Sequence, residues 1–276
     1  MNEITPGVHH GLDEQVYHAH PTSLSVTGAK TLLRAPALYH YERQHPRHKD
    51  VFDFGKAAHQ KVLGVGAEIV VHEFDPAKVK SPKSTNAWKD QQAEVRATGG
   101  VLLLPEENER LDAMVVQLRQ HRMANRLLTE GQPEVSAFCV DEATGVLRRS
   151  RFDWHEPSGI LVDYKTTICS EPDAFARSAK TFGYHMQSAW YQDIALDLGI
   201  AVRGFVFIAQ EKEPPYLVSV VQLDEDSDEL GRHRNRRALE MFRDCTESGI
   251  WPGYTPDDEI TSISLPAWAF REESAA

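Results

Sequence analysis

Asp163 and Lys165 stand two positions apart in the run Ile160-Leu-Val-Asp-Tyr-Lys-Thr-Thr167. On a strand, residues two apart share a face, so the carboxylate and the ammonium meet on one surface while Val162 and Tyr164 point to the other. A second carboxylate, Asp153, closes the preceding run Arg149-Ser-Arg-Phe-Asp153, and the turn signal His155-Glu-Pro-Ser-Gly159 predicts a hairpin that brings both acids to one sheet edge. Such a pair suits Mg²⁺, which takes a few carboxylate oxygens and fills its remaining positions with water and phosphate oxygens. An ion held there polarises a phosphodiester and lowers the pKa of a bound water, and a nearby lysine orients that water or stabilises developing charge. The chemistry implied is phosphodiester hydrolysis. A lone Asp-x-Lys is also an ordinary surface pair worth little, so the surrounding elements must decide.

Those elements divide into two kinds. Up to about residue 130 the sequence reads as mainly helical, with helices near Ser25–Arg34, from Pro36, over Phe54–Leu63 and from Pro105 to about Leu128. Pro36 and Pro105 suit a first helical turn, where the missing N–H costs nothing. Leu111, Met114, Val115, Leu118 and Arg122 recur at three-four spacing, which marks a packing face. The segment Lys78–Lys89 is polar and punctuated by proline and reads as a loop. From Glu134 the pattern shortens to strand-like runs over 134–140, 146–153, 159–166, 202–209 and 216–223. The first three should form an antiparallel meander. A helix over Asp173–Leu198 precedes the fourth run and makes a crossover, and a further helix over Asp226–Cys245 closes the fold before a Pro/Gly-marked tail. The expectation is one α/β domain over residues 1–276: a helical portion over 1–130, a core of mixed sheet flanked by helices over 131–250, and a tail over 251–276.

Composition narrows the function classes. The net charge of −11 speaks against a general polyanion-binding surface, although a local basic cluster or a bound cation reverses that locally. No apolar run is long enough for a membrane span, and Met1-Asn-Glu-Ile-Thr-Pro lacks the basic-then-apolar pattern of a secretory leader, so a cytoplasmic protein is expected. Cys139, Cys169 and Cys245 are odd in number, widely spaced and without a CxxC pair, which fits buried reduced thiols. The run Arg232–Arg237 reads as a solvated helix face. Arg149 and Arg151 share the face of Asp153 by alternation and are placed either to grip phosphates or to pair with local carboxylates. Lys30 and Arg34 on the first helix are weaker candidates for a DNA end.

The order of these residues carries a resemblance. Asp153 followed by Asp163-Tyr164-Lys165 resembles the PD-(D/E)xK nuclease signature. Gly183-Tyr-His-Met-Gln187-Ser-Ala-Trp-Tyr191 is similar to the Gln-x-x-x-Tyr motif of the RecB-like and phage exonuclease branch, and Phe54-Gly-Lys-Ala-Ala-His59 resembles its Gly-x-x-x-His helix. The Lys-Thr-Thr ending and the opening Leu24-Ser-x-Thr…Ala35-Pro-x-x-Tyr39 are most like RecE-type exonucleases, and the likeness covers roughly residues 20–250.

The resemblance implies a restriction-endonuclease-like core and roles for particular residues. Asp153, Asp163, Lys165, Gln187 and Tyr191 would be catalytic. His59, Asp153, Asp163 and the backbone carbonyl of Tyr164 would hold Mg²⁺, with Mn²⁺ as a substitute, and Thr166 would join Arg149 and Arg151 as a DNA contact. Glu134 matches a commonly acidic family position without an assigned role. The four cysteines of iron-sulfur relatives are absent, so no cluster is carried over. The activity implied is 5′ to 3′ exonuclease action on double-stranded DNA ends, leaving 3′ single-stranded tails for a RecT-like annealing protein in a phage or prophage setting, from a ring-shaped homo-oligomer. An endonuclease or single-strand nuclease on the same fold, and a silent DNA-binding module, are the alternatives.

Overall fold

A computed structural model describes residues 4–45 and 51–270. The chain opens with β1 (Gly7–His9) and α1 (Glu14–Ala19); β2 (Leu24–Ser25) then runs into α2 (Val26–Arg34) and α3 (Pro36–Gln44). Next come α4 (Val51–Leu63), β3 (Ile69–Val71), α5 (Asn86–Ala97), β4 (Val101–Leu103), α6 (Pro105–Gln120) and α7 (Arg122–Leu127). The second half contributes β5 (Gln132–Val140), β6 (Leu147–Glu156), β7 (Ile160–Thr167), α8 (Pro172–Phe182), α9 (Tyr184–Asp197), β8 (Gly204–Glu211), β9 (Val218–Val221) and α10 (Glu225–Ser248).

The main sheet runs β1-β5-β6-β7-β8-β9, with β2 also against β6, while β3 and β4 form a separate parallel pair. The expected meander is present, since β5, β6 and β7 are antiparallel in turn. The helices α8 and α9 carry the chain across to β8, which is parallel to β7 as a crossover requires. One edge of β6 is shared. Trp154, His155 and Glu156 pair with β7, Arg148 and Arg149 pair with β2, and residues 150–153 lie between the two. Asp153 therefore sits inside β6 at the fork, and not at the strand's end as alternation and the turn signal suggested.

Two apolar layers hold the sheet. On one side Leu24, Leu32, Phe152, Trp190, Phe205 and Phe207 form a core with α2, α9 and α10. On the other, Ala58, Leu111, Met114, Leu118, Trp154, Val162, Tyr164 and Ile208 form a second core with α4 and α6. Strict alternation would put Phe152 and Trp154 on one side, yet they belong to different cores. The flip occurs at Asp153, opposite Glu134, whose φ of +51° is a left-handed backbone conformation that a non-glycine residue rarely adopts.

Local chemistry also breaks two helices read as continuous. The 105–128 stretch divides at His121, whose side chain caps the backbone N–H of Ala124 and starts α7. The 173–198 stretch divides at Gly183, which sits at φ +66° and closes α8 while opening α9. The Lys78–Lys89 loop ends earlier than expected, because Thr85 Oγ1 accepts from the Trp88 N–H and launches α5, with Trp88 buried. Cys139 and Cys245 are buried and Cys169 half-buried, all as free thiols. Among the described residues no helix is long and apolar enough to cross a membrane. Residues 1–3 of the opening and 271–276 of the tail lie outside the described residues.

Candidate active site

The fork in the sheet gathers the acids. Flanking pairs Pro133↔Trp154 and Val135↔Phe152 set Glu134 of β5 across from Asp153, and Trp154↔Val162 sets Asp163 of β7 on its other side. The pairing of β7 with β6 ends at Val162, and the Tyr164 N–H donates to Asp153 Oδ2 at 3.0 Å. That bond fixes the carboxylate at the fork. From the α4 side, where Ala57, Ala58 and Val62 are buried, His59 brings Nδ1 to 3.5 Å from the same oxygen and sets its ring edge-on to Tyr164 at 5.5 Å.

His59, Glu134 and Asp153 each offer a ligand atom, and these atoms lie within 4.8 Å of one another. One imidazole and two carboxylates so spaced fit a divalent cation with an incomplete protein shell. The charge balance agrees. Burial first, and then the negative charge of Asp153, push the Glu134 carboxyl up to about 7 against the opposing pull of Arg151 and His59. Two carboxylates facing each other in a half-buried pocket resist joint ionisation unless a cation lies between them.

Asp163 stands beside this trio in a different setting. It is 1 % exposed, its Oδ2 faces Lys165 Nζ at 2.7 Å, and its Oδ1 accepts from Gln187 Nε2 at 2.6 Å. Burial and then the charge of Asp153 raise its pKa, while Lys165 opposes them. Burial works against the Lys165 ammonium, but Asp163 and Asp153 outweigh it and hold the group above the ordinary lysine range. Lys165 is thus a charged donor in a fixed position. Gln187, on the first turns of α9, joins that helix to the site, and Tyr191 one turn further packs edge-on against Phe152 and Phe205 at 5.6 and 5.8 Å.

The expected ligand set of His59, Asp153 and Asp163 is accordingly arranged with Glu134 close to the first two and Asp163 tied to Lys165 and Gln187. Of the expected DNA contacts, Arg149 and Arg151 are engaged within the chain. Arg149 Nη1 donates to the carbonyls of His20 and Ser23 at 3.3 and 3.1 Å and to Ser23 Oγ at 2.7 Å. Arg151 donates to Ser136 Oγ at 2.9 Å and to the Leu12 carbonyl, and its Nε lies 3.5 Å from Glu134 Oε2. Both guanidinium groups lie over the Tyr17 ring at 5.3 and 4.9 Å, so they fasten α1 to the sheet. Thr166 is half-buried on the Tyr164 side of β7, paired with Gln210 of β8. Arg232 and Arg236 of the basic run pair with Asp193 and Asp141 at 3.0 and 2.7 Å and anchor α10.

Sequence reasoning left two features of the site unassigned. Glu134 was visible as an acid on a strand, but its approach to Asp153 depends on a backbone angle that composition does not signal. The other is Tyr184, whose ring lies beneath both Lys165 and Lys30 at 5.4 and 5.9 Å.

With this geometry in place, comparison with known proteins gives the family. Residues 25–261 match the model described as a PDDEXK-like domain of unknown function, DUF3799. The chain belongs to this PDDEXK-like family. The match spans β2 through α10 and so contains His59, Glu134, Asp153, Asp163, Lys165 and Gln187 together. None of the curated proteins compared matches the chain. A crystal structure from Eubacterium rectale, described as that of a candidate exonuclease, superposes with a TM-score of 0.59 at 13 % identity, covering 95 % of this chain and 98 % of that one. A phage-related exonuclease from Haemophilus somnus 129PT gives a TM-score of 0.36 at 11 % identity over 84 % of this chain and 99 % of that one. The fold is PDDEXK-like, with a mixed sheet flanked by helices.

Proposed function

We propose that this PDDEXK-like protein is a Mg²⁺-dependent exodeoxyribonuclease that degrades linear double-stranded DNA from 5′ ends and leaves 3′ single-stranded tails. The observation that carries the reading is the juxtaposition at the sheet fork: His59, Glu134 and Asp153 within 4.8 Å, beside Asp163 bonded to Lys165 at 2.7 Å. His59, Glu134 and Asp153 would hold the ion, with Asp163 and the Tyr164 carbonyl at its margin, and Mn²⁺ would serve in place of Mg²⁺. Bound there, the ion supplies Lewis-acid polarisation of the phosphate and a more acidic water.

The protein's own groups do the rest. Asp163 fixes the Lys165 ammonium at the mouth of the cluster, where Nζ donates to the attacking water or to a non-bridging phosphate oxygen and stabilises charge as it develops. Gln187 occupies the other Asp163 oxygen, so the carboxylate cannot turn away from Lys165. Tyr191, one turn along α9, packs that helix against Phe152 and Phe205. The ordered set His59, Asp153, Asp163, Lys165, Gln187 and Tyr191 resembles that of the RecE-type branch, which supports the exonuclease choice, the 5′ to 3′ polarity, a RecT-like annealing partner, ring assembly and a cytoplasmic phage-related setting.

Polarity is tested by digesting linear duplex labelled at either the 5′ or the 3′ terminus with Mg²⁺ present. Early release of the 5′ label as mononucleotide, with the 3′ label retained in long products, is the expected result. Release of the 3′ label first would reverse the polarity, and cutting of a closed circle would replace the exonuclease reading with an endonuclease.

A further inference from the structure

Beside the cutting centre stands a second group of residues that the proposed hydrolysis does not use. Phe182, the last residue of α8, is 59 % exposed, although a ring of that size normally seeks the core. It stacks on Tyr184 at 5.8 Å and an interplanar angle of 30° across the left-handed Gly183. Tyr184 in turn lies under the ammonium groups of Lys165 and Lys30. Lys30 comes from α2, far off in sequence, and its methylene chain rests against Gly183, where an added Cβ would lie 3.1 Å from Cε. Among the described residues Lys30 makes no ion pair. Burial, and then the nearby Lys165 charge, pull it down to about 8 against the opposing pull of the Asp163 carboxylate.

Resting on the nuclease reading above, we propose that Phe182, Tyr184 and Lys30 form a subsite for the unpaired nucleotides of the strand being cut. A base stacks on the open face of Phe182, and Lys30 takes the phosphate next to the one that Lys165 faces. An exposed ring beside half-buried ammonium groups is a combination by which single strands are held without regard to sequence, because every base offers a stacking face and every nucleotide a phosphate. A duplex cannot use it in the same way, since its bases are already stacked. The function of the subsite is to keep the frayed terminal nucleotides in line with Lys165.

The test is fluorescence anisotropy with labelled oligothymidylate and with a blunt duplex of equal length, in EDTA so that nothing is cut, using the full chain and its Phe182→Ala, Phe182→Trp, Lys30→Gln and Lys30→Arg variants. Phe182→Ala should weaken oligothymidylate binding by about fivefold or more, the lower end of what one base-aromatic stack provides. Lys30→Gln should weaken it and reduce the salt slope by roughly 0.7, one phosphate's share on a single strand. Phe182→Trp and Lys30→Arg should retain binding, which separates the proposal from a mere packing role. Unchanged oligothymidylate binding in folded Phe182→Ala and Lys30→Gln, or an equal loss on duplex, would overturn it; if the wild type still digests DNA in Mg²⁺, the nuclease reading survives. A wild type that neither binds nor cuts DNA removes both.

Discussion

Replacing Lys165 by Gln removes the ammonium 2.7 Å from the buried Asp163 carboxylate while leaving the Gln187 bond intact. Turnover should fall by about a hundredfold or more, the usual cost of one preorganised donor to developing charge, and single-turnover digestion measures it. Gln187→Ala frees one Asp163 oxygen and should lower kcat less than Lys165→Gln, without changing the metal concentration needed for half activity. Glu134 gives a pH prediction whose sign follows from its raised pKa. The folded protein holds that proton more tightly than the unfolded chain, so the stabilisation is complete below about 4.5 and is lost as pH rises through about 7. In EDTA, Glu134→Gln should therefore melt higher than wild type at pH 8, by on the order of 1 kcal/mol after allowance for solvent screening, and nearly alike at pH 4.5. A melting curve for Glu134→Gln below that of wild type at pH 8 would contradict the charge balance described. Asp163 and Lys165 were legible because strand alternation is local, and Asp153 because the turn signal at His155–Gly159 marks a hairpin. The partners of Arg149 were not, because His20 and Ser23 stand 129 and 126 residues away.

Between elements, close approaches decide what the sequence tolerates. A Cβ on Gly231 of α10 would run into the His185 carbonyl of α9 and press on the Ala189 Cβ, neither of which has a flexible tip to yield. Gly231→Ala should cost about 1–3 kcal/mol through overpacking and disturb α9, which carries Gln187. Chemical denaturation and kcat on the same variant check both parts. Helices were legible from a proline start or apolar spacing, as α3 and α6 show. Their breaks were not, because His121 and Gly183 interrupt runs whose periodicity continues on both sides. The pair β3 and β4 escaped notice because each strand has only three residues and parallel pairing needs a distant partner. The fork at β6 was equally hidden, since it depends on β2 taking Arg148 and Arg149 as partners.

At the scale of the whole molecule, the acid cluster ties stability to the ion. If His59, Glu134 and Asp153 hold Mg²⁺ only when folded, saturating metal should stabilise wild type, by about 2.7 kcal/mol at a hundred times Kd, and the effect should vanish in Asp153→Asn. Thermal melts with and without EDTA measure it, and equal stabilisation of Asp153→Asn would move the ion elsewhere. The measurement that bears most directly on the central claim is digestion of linear duplex and covalently closed circular DNA by wild type, Asp163→Asn and Lys165→Gln, each with Mg²⁺ and with EDTA. The account predicts metal-dependent loss of nucleotides from the linear substrate alone, abolished by EDTA and by Asp163→Asn and reduced by about a hundredfold or more in Lys165→Gln. Digestion that persists in EDTA, or that Lys165→Gln carries out at the wild-type rate, would contradict it.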